Sequence, residues 1–277
     1  MVDELCFVQF PHPGLEHKPD HGDMKCWNTR DHRRKFVINP GRYLDDDGQV
    51  RESHLTFWCE WEPPSEVLKR IDQPLALGPR YLYRPFWYEP EPGRSLQNTD
   101  PLVFGDCFHY TVCRQHHNGR STKLQQLASG SLILFGSSLR GRFVLDTVFV
   151  VDSWIDYDHP AAISGVISYS YETVTIKHLD PARRRLYSGA SYDKPHYGMV
   201  SFMPCLPYEE GTRGFARPAI SLDGLISNRL AMSFRRRVQP APSIVKRIWD
   251  EVVRQVREQG LLLGLAVDFP ERREAGC

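Results

Sequence analysis

The chain has 277 residues, 41% of them hydrophobic and 25% charged, which is ordinary globular usage and excludes wholesale disorder or a fibrous repeat. A formal net charge of +1 excludes a global field that would draw it onto nucleic acid, so any such binding rests on local patches. The opening Met1-Val2-Asp3-Glu4-Leu5 lacks a basic and apolar leader, Leu261 to Val267 is too short to span a bilayer, and seven cysteines without a scaffold spacing fit reduced thiols. These features predict a cytoplasmic protein with no membrane partner.

In chain order, residues 4 to 10 read as a buried strand stopped by Pro11, and the Pro- and Gly-rich stretch His12 to Arg30 as irregular loop. Lys35 to Ile38 and Leu55 to Trp61 are predicted strands, the second alternating Leu55, Phe57, Cys59 and Trp61 on one face. Pro63-Pro64-Ser65-Glu66 predicts a short helix capped by Ser65 and ended at Gln73-Pro74, and the aromatic stretch 78–101 a packed connection. Ser131 to Gly136 and Phe143 to Val151, joined by a turn at Arg140-Gly141, predict a β-hairpin. Alternation over Ile163 to Ile176 and the run Met199 to Phe202 suggest two more strands. Pro240 to Gly260 predicts an amphipathic helix, with Ile244, Ile248, Val252 and Val256 on one face, an Asp250–Arg254 pair and Gly260 as its cap. The whole reads as one unit, residues 1–277, strand-rich with one clear helix.

Candidate chemistry concentrates in the first half. His12, His17, Cys26 and His32 are zinc-ligand residue types on a loop, although their spacing matches no compact zinc signature. In strand geometry Cys107, His109, Thr111 and Cys113 share a face, so Cys113 is a candidate nucleophile or ligand. Glu60 and Glu62, beside Trp58 and Trp61, are candidate proton donors, and Asp106 a candidate base or orienting acceptor. Three basic runs, at Arg33-Arg34-Lys35, Arg183-Arg184-Arg185 and Arg235-Arg236-Arg237, are candidate DNA contacts. No phosphate-binding Gly-rich loop, Gly-x-Ser-x-Gly elbow or His-Glu-x-x-His is present.

The segment Asn98-Thr99-Asp100-Pro101-Leu102-Val103-Phe104-Gly105-Asp106, the Leu124-Gln125-Gln126-Leu127 lead, Gly130 to Phe135 and the strand Val144 to Val151 resemble the nucleotide-modification-associated domains of bacteria and phages, relatives of the PUA, ASCH and EVE barrels. Phe10-Pro11-His12-Pro13-Gly14, Phe57-Trp58-Cys59-Glu60-Trp61-Glu62-Pro63 and Gly189-Ala190-Ser191-Tyr192 are similar to the base-converting component of the bacterial 7-deazaguanine DNA-modification system. The resemblance implies an α+β fold, a PUA-like mixed β-barrel spanning 1–62 and 98–176 with an extension over 177–277. It implies hydration of the nitrile of 7-cyano-7-deazaguanine in DNA to the 7-carboxamide, with DNA and other proteins of that system as partners. Under it, Cys113, Asp106 and Glu60 are the catalytic candidates, with thioimidate formation or a water activated on zinc as the two routes. Trp58, Trp61 and Trp87 would stack on an extruded base and Arg33, Arg34 and Arg184 would hold the DNA. The alternatives are a non-enzymatic reader of modified bases and a metal-dependent nuclease.

Overall fold

In a computed structural model, which describes residues 2–72, 74–211, 213–228, 230, 234–238 and 241–274, the strands are β1 (Cys6–Pro11), β2 (Met24–Lys25), β3 (Lys35–Leu44), β4 (Val50–Cys59), β5 (Ser65–Arg70), β6 (Tyr81–Trp87), β7 (His109–Tyr110) and β8 (His116–His117). They continue with β9 (Arg120–Ser121), β10 (Leu132–Leu139), β11 (Arg142–Tyr157), β12 (Arg184–Gly189), β13 (Met203–Pro207), β14 (Arg235–Val238), β15 (Leu262–Val267) and β16 (Glu271–Arg272). The α-helices are α1 (Tyr169–Val174) and α2 (Pro242–Glu258), so the fold is α+β and mostly sheet. Gln73, Pro240 and Cys277, read from sequence as a helix stop, a helix start and a thiol, lie outside the described residues. Among the described residues no helix is long and apolar enough to cross a membrane.

Every residue of β1 is buried because it lies inside a sheet covered on both faces, which is why its sequence runs apolar without alternating. That sheet has the order β14-β1-β10-β11-β12-β7, with β1 parallel to β10 and antiparallel to β14. The predicted hairpin is β10–β11. Its register shifts at Gly136, where a Cβ would stand 2.1 Å from Val144 O, so only glycine fits this bulge. The second sheet has the order β15-β13-β4-β3-β6-β5-β2, and β15 also pairs with β3. Val8, Phe10, Ile133, Phe135 and Phe149 from the first sheet and Val37, Leu55, Phe57 and Tyr83 from the second share one core. On the opposite face of β1 and β10, Phe7, Leu132 and Leu134 belong to a second core with Val245, Ile248, Val252 and Val256 of α2.

Helix α2 ends as its sequence predicts. Gly260 takes φ +73°, its N–H donates to Arg257 O at 2.8 Å and the Leu261 N–H to Val256 O at 3.3 Å, the paired bonds of a Schellman ending. Its surface pairs differ from expectation: Asp250 meets Lys246, and Arg254 meets Glu251 and Glu258.

Four elements depart from the sequence reading, each because a neighbour outweighs a local signal. Residues 65–70 form β5 instead of a helix. The Ser65 hydroxyl accepts from buried Lys35 Nζ at 2.8 Å, and β6 supplies the ladder bonds that a four-residue apolar pattern cannot decide by itself. The stretch 78–101 contains β6, with Tyr83, Phe86 and Trp87 buried. The alternation over 163–176 is helical: the Ser168 hydroxyl caps α1 by accepting the Tyr171 N–H, and Tyr171 and Val174 are buried at i, i+3. The strand expected over 199–202 begins at Met203, leaving Phe202 a single bridge to Val148.

Candidate active site

The polar candidates that come together sit one to three residues outside strand ends, where a rigid sheet positions residues that no ladder uses. His12 follows β1; its N–H donates to Gly136 O at 2.7 Å, and its ring packs edge-on against Phe10 at 4.6 Å. Glu60 and Glu62 follow β4, and the Glu62 N–H donates to Thr99 Oγ1 at 3.1 Å. Arg34 precedes β3 and ties down the loop through the Arg34 N–H to Leu15 O and the His17 N–H to Arg34 O, both 2.9 Å. Cys113 lies three residues beyond β7, in a turn wrapped round Asp100, whose carboxylate accepts the N–H groups of Thr111, Val112 and Cys113 at 2.9, 2.9 and 2.5 Å.

These loops converge on Glu60. Its Oε2 is 3.0 Å from His12 Nδ1 and 2.8 Å from Arg34 Nη1, and its Oε1 is 2.9 Å from His32 Nδ1. His32 Nδ1 is also 3.0 Å from Glu62 Oε1, and His17 Nε2 is 3.5 Å from Glu62 Oε2. His12, His17, Glu60 and Glu62 are buried, while the His32 side chain is 25% exposed. Two groups here are candidate metal-binding sets, His12 with Glu60 and Cys113, and His32 with Glu60 and Glu62; in each the ligand atoms lie within 4.8 Å of one another. Of the contacts at Glu60 and Glu62, Arg34 Nη1 to Glu60 Oε2 and His32 Nδ1 to Glu62 Oε1 are aligned as hydrogen bonds, His12 Nδ1, His17 Nε2, Glu60 Oε1 and Glu62 Oε2 meet their neighbours without that alignment, and His12 Nε2 is buried with no partner.

The electrostatics follow from that crowding. Burial opposes charge on His32, but the carboxylates of Glu60 and Glu62 outweigh it and push the imidazolium up to about 11. Burial also works against ionised Glu60, yet His32, His12 and Arg34 hold its carboxyl well below the usual range. Burial dominates at His12 and His17 and lowers both. The Cys113 thiol is pushed up, first by burial and then by the charges of Asp100 and Glu60.

The other predicted residues lie elsewhere. Asp106 is exposed and lines a cavity of about 510 Å³ with Arg42, His109 and Asp268, apart from both metal-binding sets. Of the strand expected over 107–113 only His109 and Tyr110 form one, so the two thiols part: Cys107 Sγ donates to Gly189 O at 3.3 Å, and Cys113 Sγ turns to Asp100 O at 3.6 Å. Trp58, Trp61 and Trp87 are core residues, buried to at least 95%, and the indoles of the first two donate to Phe215 O and Pro64 O. They offer no free face for a base. Cys26 is disulfide-bonded, which corrects the reading of its thiol as a reduced ligand; Cys6, Cys59, Cys107, Cys113 and Cys205 are free. Arg34 is buried, with its Nε donating to Asp146 Oδ2 at 2.7 Å, whereas Arg33 and Arg184 remain partly exposed.

Sequence reasoning missed Asp100, Asp146 and Arg217. Arg217 Nη1 donates to Asp146 Oδ1 at 3.2 Å and to Ser137 Oγ at 2.9 Å, and with Arg34 it brackets Asp146 beside the site. The one available signal was an aspartate inside an apolar strand run, Val144-Leu145-Asp146-Thr147-Val148, since a buried carboxylate needs partners. Comparison with protein-family models, curated proteins and solved structures finds no match to this chain.

Proposed function

We propose that this chain hydrates the nitrile of 7-cyano-7-deazaguanine in DNA to the 7-carboxamide, at the cluster centred on Glu60. The observation that carries a chemical role is a buried carboxylate pair, Glu60 and Glu62, crowded by three imidazoles at 2.9–3.5 Å beside Cys113, with His12 Nε2 buried and without a partner. Stability alone disfavours a buried nitrogen left so, at a cost of about 1–3 kcal/mol. The substrate rests on the sequence resemblance, and the PUA-like assignment of the core belongs to the same proposal.

Hydration needs no oxidant or reductant. The oxygen of water bonds to the nitrile carbon, one proton passes to the nitrile nitrogen, and a second moves from oxygen to nitrogen as the carboxamide forms. Glu60, between His12 and His32, would hold the ion that acidifies the attacking water, and His32, 2.9 Å from Glu60 Oε1, is placed to pass a proton to nitrogen. Zinc fits the nitrogen, oxygen and sulfur donors of the cluster and would supply an acidified water. With the tryptophans buried, the base enters past His32, flanked by Arg30 and Arg33 for phosphate contact, and must leave the duplex to do so.

Incubating the purified chain with single- and double-stranded DNA carrying the nitrile base, then measuring nucleosides by mass spectrometry, tests this. The gain of one water per modified base is expected. Binding without conversion overturns the enzyme and leaves a reader of modified bases; strand cutting with added divalent ions points to a nuclease.

A further inference from the structure

We infer that His12, Glu60 and Cys113 are the protein ligands of a single zinc-type divalent ion whose fourth position is open, and that His32, Glu62 and His17 form its outer shell. This assignment concerns the ion alone and stands whatever the substrate is.

The two candidate sets share Glu60 and differ in how far their polar atoms are already satisfied. In the His32 set, Nδ1 lies between two carboxylate oxygens at 2.9 and 3.0 Å and makes a hydrogen bond to Glu62 Oε1. An imidazolium completes that arrangement, with no place left for a second cation. In the His12 set Glu60 Oε2 accepts from Arg34 and Cys113 Sγ turns to Asp100 O, but the His12 ring is unsatisfied. His12 Nδ1 stands 3.0 Å from Glu60 Oε2 without hydrogen-bond alignment, and its Nε2 also lacks a partner. Donors bonded to one zinc at about 2.0–2.3 Å stand roughly 3.3–3.6 Å apart, so small shifts of these two side chains would accept the ion.

The donors choose the metal class. Imidazole, thiolate and carboxylate together suit zinc and disfavour magnesium or calcium, which take oxygen ligands. Three protein ligands with an open position are the pattern of a catalytic zinc, whereas structural sites are closed by four.

Each ligand is held by a group behind it, as metal sites require. Phe10, edge-on at 4.6 Å, and Phe135, with centroids 5.9 Å apart, fix the His12 ring. Arg34 Nη1 holds Glu60 Oε2 at 2.8 Å, and Arg34 is itself fixed by Asp146. Asp100 fixes the turn bearing Cys113 through three backbone N–H groups. Metal entry would displace the thiol proton of Cys113, and the resulting thiolate with ionised Glu60 matches the charge of a divalent ion.

The test is metal content of the purified full chain by inductively coupled plasma mass spectrometry after exhaustive desalting, with zinc supplied during expression. One zinc per chain is expected, falling to trace levels in Cys113→Ala and His12→Leu and retained in His32→Gln. Cobalt substitution of the wild-type chain reads sulfur ligation without relying on a variant that fails to fold, through a thiolate-to-cobalt charge-transfer band in the near ultraviolet. A chain that takes up no metal, or a cobalt form lacking that band, overturns the assignment. So does metal retained in His12→Leu but lost in His32→Gln, which would place the ion in the other set. A zinc-loaded chain inactive on the nitrile base would count against the substrate and leave the ion standing.

Discussion

Two buried polar clusters share Arg34 and differ in completeness. Around Asp146 both carboxylate oxygens are taken by aligned donors, Arg34 Nε at 2.7 Å and Arg217 Nη1 at 3.2 Å, and Arg217 is also held over the Trp58 ring at 5.1 Å, its Nε being the one atom without a partner among those of Arg34, Asp146 and Arg217. Around Glu60, by contrast, His12 Nδ1, His17 Nε2, Glu60 Oε1 and Glu62 Oε2 stand at ion-pair distances from their neighbours without hydrogen-bond alignment, and His12 Nε2 has no partner. A matched cluster stabilises a particular joining of β3 and β11, from opposite sheets, and needs nothing further. An unmatched one lowers stability until something else enters, and that contrast separates a structural role from a chemical one at equal burial.

The largest expected effect comes from unmatching the complete cluster. Asp146→Asn leaves two buried guanidiniums against one fewer carboxylate, and stability should fall by about 3–5 kcal/mol, measured by urea unfolding. Because Arg34 also holds Glu60, any protein that still folds should lose metal or turnover as well. A loss below about 1 kcal/mol would show that the Asp146 cluster is not a structural staple.

The fold was legible where the period was long and the neighbours were few. β1, the β10–β11 hairpin and α2 all carry their own stop or cap in sequence, at Pro11, Gly141 and Gly260. β5 and β6 do not, because their apolar runs are short enough to satisfy either period and the choice falls to a partner strand; α1 has its cap at Ser168, but its six residues are too few for the period to show. The site was legible as residue types only. His12, Cys113, Glu60 and His32 were named from sequence, but their meeting depends on β1, β3, β4 and β7 ending at the same place, which no local spacing records. For the same reason Cys107 and Asp106, near neighbours of Cys113 in sequence, were read as its companions and are not.

His109 provides an intermediate case: a half-buried histidine on the wall of the cavity that Asp106 lines, stacked on Tyr171, whose Nδ1 also lacks a partner. Burial alone holds it down to about 4, from 6.5 in the unfolded chain. Its contribution to stability is therefore complete above pH 6.5 and declines as pH falls toward 4, because the unfolded chain takes up a proton that the native one refuses. The decline is at most about 3 kcal/mol. Comparing urea midpoints at pH 7 and pH 5, His109→Leu should lose less stability on acidification than the wild type. Equal losses in the two proteins would mean that His109 titrates normally and that an unmatched nitrogen in this fold is no burden.

The smallest stability effect should come from His12→Leu, and that is its diagnostic value. Leucine keeps an apolar side chain of similar size against Phe10 and Phe135 while removing two nitrogens that make no hydrogen bond, so the metal-free protein should unfold within about 1.5 kcal/mol of the wild type. Glu60 keeps Arg34 and His32 as partners and is not stranded. Any nitrile hydration that the wild type shows should nevertheless disappear, because the ring beside Glu60 and Cys113 is gone. In the presence of zinc the wild type should gain stability over the variant in proportion to metal binding. If His12→Leu instead destabilised the metal-free chain as severely as Asp146→Asn, the two clusters would be of one kind, and the unmatched lone pairs at Glu60 would be an ordinary part of the core.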